Sequence, residues 1–413
     1  MKFPKRFLWG VSTSAHQVEG GNHNQWSAWE LENAKANAAQ GKAQYHDLEV
    51  FDDIRAEVTS SDNYIAGAAA NHYDRFEADF DLIKKMQLNA FRFSVEWSRI
   101  EPNEGAWNAQ AIEHYKQYVA ALKKRDIEPM MTLFHFSLPQ WFTEKGGFEK
   151  RKNVKYFVRF AEKIVEELGK DIRFIITINE PAVYALESYQ EGNWPPEVQN
   201  KRTAFRVLRN LIYAHNQTAK KIHTMNRRYK VAIAKNASYV YPGDDALLSR
   251  ASAAVLQYAK DDYVLRRIRK SSDFIGVNYY YSERVYGYRV HNEDKNLSDM
   301  GWDMHPEHLQ YVLERLDKKY KLPLIVTENG VADADDTARK WWLAKTMMAL
   351  NEALKEGVHV QGYFHRSLLD NFEWAHGHWP KFGLVDVDPT TLNRKPKQSA
   401  AWWAKFLANA KKN

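Results

Sequence analysis

Two short stretches of the 413-residue chain end an apolar run with a glutamate beside an asparagine: TINEP at 177–181 and VTENG at 326–330. Burying a carboxylate is costly unless a cation or a hydrogen-bond donor meets it. Taken singly, Glu180 or Glu328 is therefore as consistent with a structural ion pair as with catalysis. Taken together they suggest glycoside hydrolysis. That reaction needs one carboxyl group to hand a proton to the leaving oxygen and a second, ionised one to act at the anomeric carbon. When configuration is retained the two lie about 5–5.5 Å apart, and their mutual repulsion helps keep the acid protonated.

Such a pair must be brought together by elements distant in sequence. Short runs rich in β-branched and aromatic residues predict strands at 7–17, 90–97, 128–136, 173–180, 230–238, 273–282, 323–330 and 360–371. Between them lie segments of helical period. In 72–89, Phe76, Phe80, Ile83 and Met86 recur every three or four residues and would face the sheet. Similar patterns occupy 109–125, 153–168, 202–228, 246–268, 306–320, 335–356 and 396–410. Eight strands each followed by a helix, with no glycine-rich phosphate turn after the first, predict a closed (β/α)8 TIM barrel of the α/β class. No linker interrupts the pattern, so residues 1–413 are expected to form a single domain.

Reactive groups of such barrels gather where strands end and βα loops begin. The polar residues at those ends are His16, Gln17, Arg92, Glu96, His135, Asn179, Glu180, Asn278, Tyr280, Glu328 and Asn329, with Glu373 and Trp374 just beyond the eighth strand. One mouth would collect them.

Composition narrows the chemistry. With 44% hydrophobic and 27% charged residues, the chain can bury a sizeable core and disorder is not expected. The absence of cysteine excludes disulfides, thiolate metal sites and thiol nucleophiles. No segment approaches the 18 apolar residues of a membrane span, and MKFPKRFLWG lacks an unbroken apolar stretch, so a cytoplasmic protein with no membrane partner is expected. The net charge of +7 draws attention to RRIRK at 266–270 and NRRYK at 226–230. Without a nucleic-acid-binding motif these read as solvated outer helix faces, and no nucleic-acid partner is expected. His376 and His378, like His305 and His308, lack an obvious third metal ligand. Neither a dinucleotide fingerprint nor a Walker loop occurs, so no cofactor and no metal are expected. Oligomeric state is left open.

Seven motifs, read in order, carry a resemblance over nearly the whole chain: FLWGVSTSAHQVEG (7–20), FRFSVEWSRIEP (91–102), TLFHFSLPQWF (132–142), TINEP, GVNYYYS (276–282), VTENG and SLLDNFEWAHG (367–377). The chain resembles glycoside hydrolase family 1, the β-glucosidase and β-galactosidase family, as a compact member. The resemblance implies a retaining β-glycosidase acting on terminal β-linked sugars through a covalent glycosyl-enzyme intermediate. Glu180 would be the acid/base and Glu328 the nucleophile. Asn179 would contact the sugar 2-hydroxyl, and Arg92 and Tyr280 would stand beside Glu328 to keep it ionised. Gln17, His135, Asn179, Glu373 and Trp374 match the family's glycone-binding positions, and Asn278 belongs to the supporting set. The expected partner is a small β-glycoside or oligosaccharide.

One position departs from the pattern. Arg366, in YFHRSLLDNFEW, stands where the family normally places a tryptophan beneath the sugar ring. A guanidinium can stack, pair with a carboxylate or donate hydrogen bonds. Arg366 thus fits a site adapted to an acidic sugar, a weakened enzyme, or an arginine turned towards Glu373 or another acid. Retention of Glu373 argues for unphosphorylated sugars, since like charge repels phosphate. Two other readings stay open: a catalytically silent sugar-binding barrel, and a transglycosylating enzyme in which a sugar hydroxyl intercepts the intermediate.

Overall fold

The eight apolar runs pair side by side in parallel and close on themselves. In the computed structural model, which describes residues 1–292 and 295–411, they are β1 (Leu8–Ser12), β2 (Ala90–Ser94), β3 (Glu128–Phe134), β4 (Phe174–Asn179), β5 (Lys230–Asn236), β6 (Ile275–Tyr279), β7 (Leu324–Asn329) and β8 (Val360–Arg366). Residues 293–294 and 412–413, included in the expected single domain, lie outside the described residues. Each strand pairs with its sequence neighbours, and β1 against β8 shuts the barrel.

Alternation along the strands divides the apolar residues between two compartments. Ala90, Met130, Phe174, Ile176, Ala232, Ala234, Phe274, Ile325 and Phe364 fill the barrel interior. Phe91, Phe93, Ile175 and Val326 face outwards into a larger core under the helices. Those helices include His72–Lys85, Ala109–Lys124, Val154–Leu168, Lys201–Met225, Leu309–Tyr320, Arg339–Lys355 and Gln398–Ala410. Phe80 and Ile83 are fully buried on the first of them, as its period requires. Asn108 caps the second by accepting from the amides of Gln110 and Ala111.

The sequence pattern ran too far at several ends. The first strand stops at Ser12, and Ala15–Val18 form a helical turn that presents Gln17. The last stops at Arg366, so Glu373 and Trp374 sit on the loop beyond. NRRYK is not a helix face: the helix ends at Met225 and Lys230 opens β5. The 21-residue helix Gln25–Tyr45 in the first βα loop has no sustained apolar stripe and escaped the periodicity reading. Its start is fixed by a capping box between Asn24 and Ser27.

Register sets the floor of the mouth. Ser12 lies opposite both Arg92 and Arg366, and Asn278 lies opposite Glu328. The pairing slips in β4 between Ile176 and Asn179, and in β7 between Val326 and Glu328. Each slip re-aims the residues that follow it.

Candidate active site

Glu180 and Glu328 line the same concavity, a pocket of about 220 Å3 at the C-terminal ends of the strands. Glu180 follows β4 in a left-handed conformation (φ +41°) and leads into a helix whose first residue is Pro181. A non-glycine residue there costs energy, a feature common at functional sites. Asn278 on β6 donates to Glu180 Oε1 at 2.8 Å, leaving Oε2 free to carry a proton. Burial, and next the charge of Glu328, push the Glu180 carboxyl up to about 7.

Glu328 is met differently. Arg92 Nη1 donates to its Oε1 at 2.5 Å and the Tyr280 hydroxyl to its Oε2 at 2.5 Å. Both oxygens thus act as acceptors. Burial and the neighbouring Glu328 charge raise the Tyr280 phenol well above its ordinary range, so it remains a donor. Arg92 is fully buried and also holds Asn179, whose Oδ1 accepts from Arg92 Nη2 at 2.7 Å and from Asn278 Nδ2 at 3.1 Å. The Asn179 amide in turn donates to His135 Nε2 at 3.1 Å. Burial, then the charges of Arg92 and Arg366, hold the His135 pKa well below 6.5, so its ring is neutral. With Nε2 accepting, Nδ1 carries the proton; it is buried with no partner among the described residues.

Across the pocket, Gln17 Nε2 donates to the Phe372 carbonyl at 2.7 Å and to Glu373 Oε2 at 3.1 Å. Trp374 packs between Trp26 and Phe136, with ring centroids 4.9 and 5.2 Å away, and stacks on His16 and His135. Arg366 turns towards Glu373 and forms a buried ion pair with it. Its guanidinium lies 4.3 Å from the centre of the Phe382 ring and its Nε 4.0 Å from Glu328 Oε2.

Five of the polar strand-end residues do not line the pocket: Arg92 and Asn278 lie behind the glutamates they hold, and His16, Glu96 and Asn329 are engaged elsewhere. Glu96 accepts from Ser98 and Ser137, and Asn329 points to the helix layer, where Trp342, Thr346 and Tyr363 donate to it. His16 stands behind Trp374 and pairs with Glu30 at 2.7 Å. Conversely, Trp194 and Trp302, two tryptophans on loops, do line the pocket, as do Asn236, Tyr281 and His376. Lys235, on the outward side of β5 with Val231 and Ile233, is buried and pairs with Asp261 at 3.4 Å, close enough to Glu180 for the two charges to act on each other. Its place at a strand end was the one available signal.

Among the described residues, the nearest approach to a metal-binding constellation is His305, Glu307 and His308. Both His305 nitrogens face carboxylates, Nδ1 to Glu307 at 3.0 Å and Nε2 to Asp303 at 3.1 Å. Glu307 first, then Asp303, raise the His305 pKa, which suits an imidazolium in an ion pair and not a ligand.

Known proteins of the same shape share this arrangement of elements. A β-glycosidase from Pyrococcus horikoshii superposes with a TM-score of 0.87 at 32% identity, covering 99% of this chain and 95% of that one. A β-glucosidase from Thermotoga maritima in complex with glucoimidazole gives 0.87 at 27% identity, with 99% of both chains covered. In sequence, β-glucosidase A of Acetivibrio thermocellus is 30% identical over 98% of each chain. A chloroplastic galactolipid galactosyltransferase of Arabidopsis thaliana is 31% identical over 98% of this chain and 73% of its own. The glycosyl hydrolase family 1 profile matches residues 1–263 and 248–412, end to end. Profile, relatives and barrel agree, and the chain belongs to glycosyl hydrolase family 1.

Proposed function

We propose that this protein is a retaining β-glycosidase of the β-glucosidase type, with Glu180 as acid/base and Glu328 as nucleophile. The observation that carries the assignment is the asymmetry of the pair: one glutamate is raised to about 7, while the other accepts from a buried arginine and a phenol. Unequal environments of this kind separate the acid from the nucleophile.

In the first step a Glu328 oxygen bonds to the anomeric carbon as the glycosidic C–O bond breaks, and the Glu180 proton passes to the leaving oxygen. In the second, Glu180 takes a proton from water, whose oxygen attacks the same carbon and releases Glu328. Two inversions leave the β configuration unchanged. In this reading Asn179, held from two sides, contacts the sugar 2-hydroxyl, and Gln17, His135 and Glu373 take the remaining hydroxyls. Glu373 favours an unphosphorylated sugar. The glucoimidazole complex of the Thermotoga maritima enzyme supports a glucose-like glycone.

Initial rates on nitrophenyl β-glucoside, galactoside, fucoside, mannoside, xyloside and glucuronide test the reading. Turnover of neutral sugars is expected, and turnover of the glucuronide alone would instead make Arg366 the selector of an acidic glycone. Glu328→Gly should abolish hydrolysis yet regain turnover of activated substrates with azide or formate; full activity without the added anion would refute the nucleophile. The galactosyltransferase relative favours a second reading, in which a sugar hydroxyl replaces water in the second step. Product analysis at high sugar concentration separates the two.

A further inference from the structure

Near its end, β5 carries a lysine that the fold buries. Lys235 shares the outward side of the strand with Val231 and Ile233 and is only 2% exposed. It faces the segment Tyr258–Asp262, where Asp261 Oδ1 lies 3.4 Å from its Nζ, and it donates to the Asn236 carbonyl. Taking an ammonium out of water is costly, and one carboxylate partner seldom offsets the whole cost. Asp261 does not need this cation, since its Oδ2 accepts from Gln257 at 2.8 Å and from Arg315. Asp262 in turn pairs with Lys319 at 2.5 Å and with Arg315 at 3.7 Å. Among the described residues these ion pairs join three cations, Lys235, Arg315 and Lys319, to two carboxylates. One positive charge is left over.

The surplus lies beside Glu180. The Glu180 amide donates at 2.8 Å to the carbonyl of Ala234, the residue before Lys235, and Asn236, the residue after it, lines the sugar pocket with Glu180. Ala182 and Val183, on the helix that follows Glu180, line one concavity with Lys235. The other elements around Glu180 bring Asn278 on β6, Tyr280 and Tyr281 after it, Glu328 on β7 and Arg92 on β2. Arg92 is committed to Glu328 and Asn179, and Lys260 to Glu283 at 2.5 Å. Lys235 and Arg92 both favour the charged form of Glu180, and Lys235 has the larger effect.

The reaction moves a negative charge towards this cation. Before substrate reacts, the charge of the glutamate pair sits on Glu328, against Arg92 and Tyr280. Once Glu328 is bonded to the sugar and Glu180 has given up its proton, Glu328 is a neutral ester and the charge sits on Glu180. Asn278 can donate to it there but carries no charge. We propose that Lys235 is a positioning residue for the acid/base, its ammonium serving as counter-charge to the Glu180 carboxylate during the life of the glycosyl-enzyme. This rests on the assignment of Glu180 as the acid/base. Lys235 lies outside the sugar pocket and acts through Glu180.

The test is the pH dependence of Lys235→Met, similar in length but uncharged, against the parent. A nearby opposite charge eases ionisation, so its loss should move the basic limb of kcat/KM, at about 7 in the parent, upwards by about 0.5–1 pH unit. On a dinitrophenyl glycoside that releases its phenol in a burst, kcat reports the second step, for which Glu180 must be ionised. The acid limb of that kcat should move upwards as well. Lys235→Arg, which keeps the charge, should leave both limbs where the parent has them. Lys235→Gln, which keeps a donor for the Asn236 carbonyl, takes the same measurement should the methionine variant fail to fold. Limbs that stay in place or move down would overturn the proposal, as would a loss of rate uniform across pH, the mark of a purely structural role. Persistence of the basic limb in Glu180→Ala would instead assign that limb to another group and remove the acid/base assignment on which the proposal stands.

Discussion

Glu180 is the residue whose environment most directly sets a measurable quantity. As acid it must be protonated when substrate binds, so kcat/KM should fall as pH rises through about 7. Glu180→Ala should lose far less rate on substrates with good leaving groups than on alkyl glycosides, and equal losses on both would count against a general acid. The same shift bears on stability. The folded value lies above the ordinary 4.5, so the group's contribution is full below about pH 4.5 and is lost as pH rises through about 7. Glu180→Gln, which keeps the shape and removes the charge, should therefore be more stable than the parent at pH 8, by on the order of 3 kcal/mol, and melt at a higher temperature. A melting temperature unchanged between pH 5 and 8 in both proteins would contradict this. Arg366 is the other residue with a definite expectation. It is the cation paired with Glu373 and lies close to Glu328. Arg366→Trp leaves one carboxylate without its counter-charge and should lower kcat/KM on neutral glycosides about 10-fold or more. A gain would mean that an aromatic platform outweighs the ion pair.

At the scale of elements, the ends of β7 and β8 carry the site and touch. Gly330 directly follows β7, and a Cβ there would overlap the carbonyl oxygen of Arg366. Gly330→Ala must therefore push the end of β8, and with it Arg366, away from Glu328. It should destabilise the protein by about 2 kcal/mol or more and lower kcat, read by thermal melting and by rates on the nitrophenyl panel. Wild-type values in both would show that the strand ends yield freely. Element positions were legible in advance because β-branched and aromatic runs alternate with 3.6-residue periodicity. Helix Gln25–Tyr45 was not: its polar, alanine-rich surface lacks a stripe, and its stability comes from capping and from Trp26 and Trp29 docking on the barrel mouth.

For the molecule as a whole, closure of the barrel between β1 and β8 is covered from outside by the last helix. Trp403 is fully buried there, with ring centres 5.8 Å from both Trp9 of β1 and Tyr363 of β8. Trp403→Ala should cost about 3–5 kcal/mol and lower the melting temperature. If barrel closure holds the two catalytic ends in register, the variant should also lose activity well below its melting point. Full activity up to the transition would show that β1 and β8 need no cover to stay paired.

The sequence by itself determined the eight-strand rhythm, the barrel it closes into, and the set of polar residues at the strand ends, because apolar period and strand order are local properties of the chain. Only the tertiary structure decided which of those residues meet. Simple alternation from Ile176 and Ile325, both inside the barrel, would send Asn179 and Glu328 outwards; the register slips in β4 and β7 turn them in and turn Asn329 out. A slip is a relation between neighbouring strands, so no single strand records it. The loop tryptophans Trp194 and Trp302 reach the pocket for the same kind of reason. Their places depend on how separate loops pack over one mouth, and that is set by contacts between residues far apart in the chain.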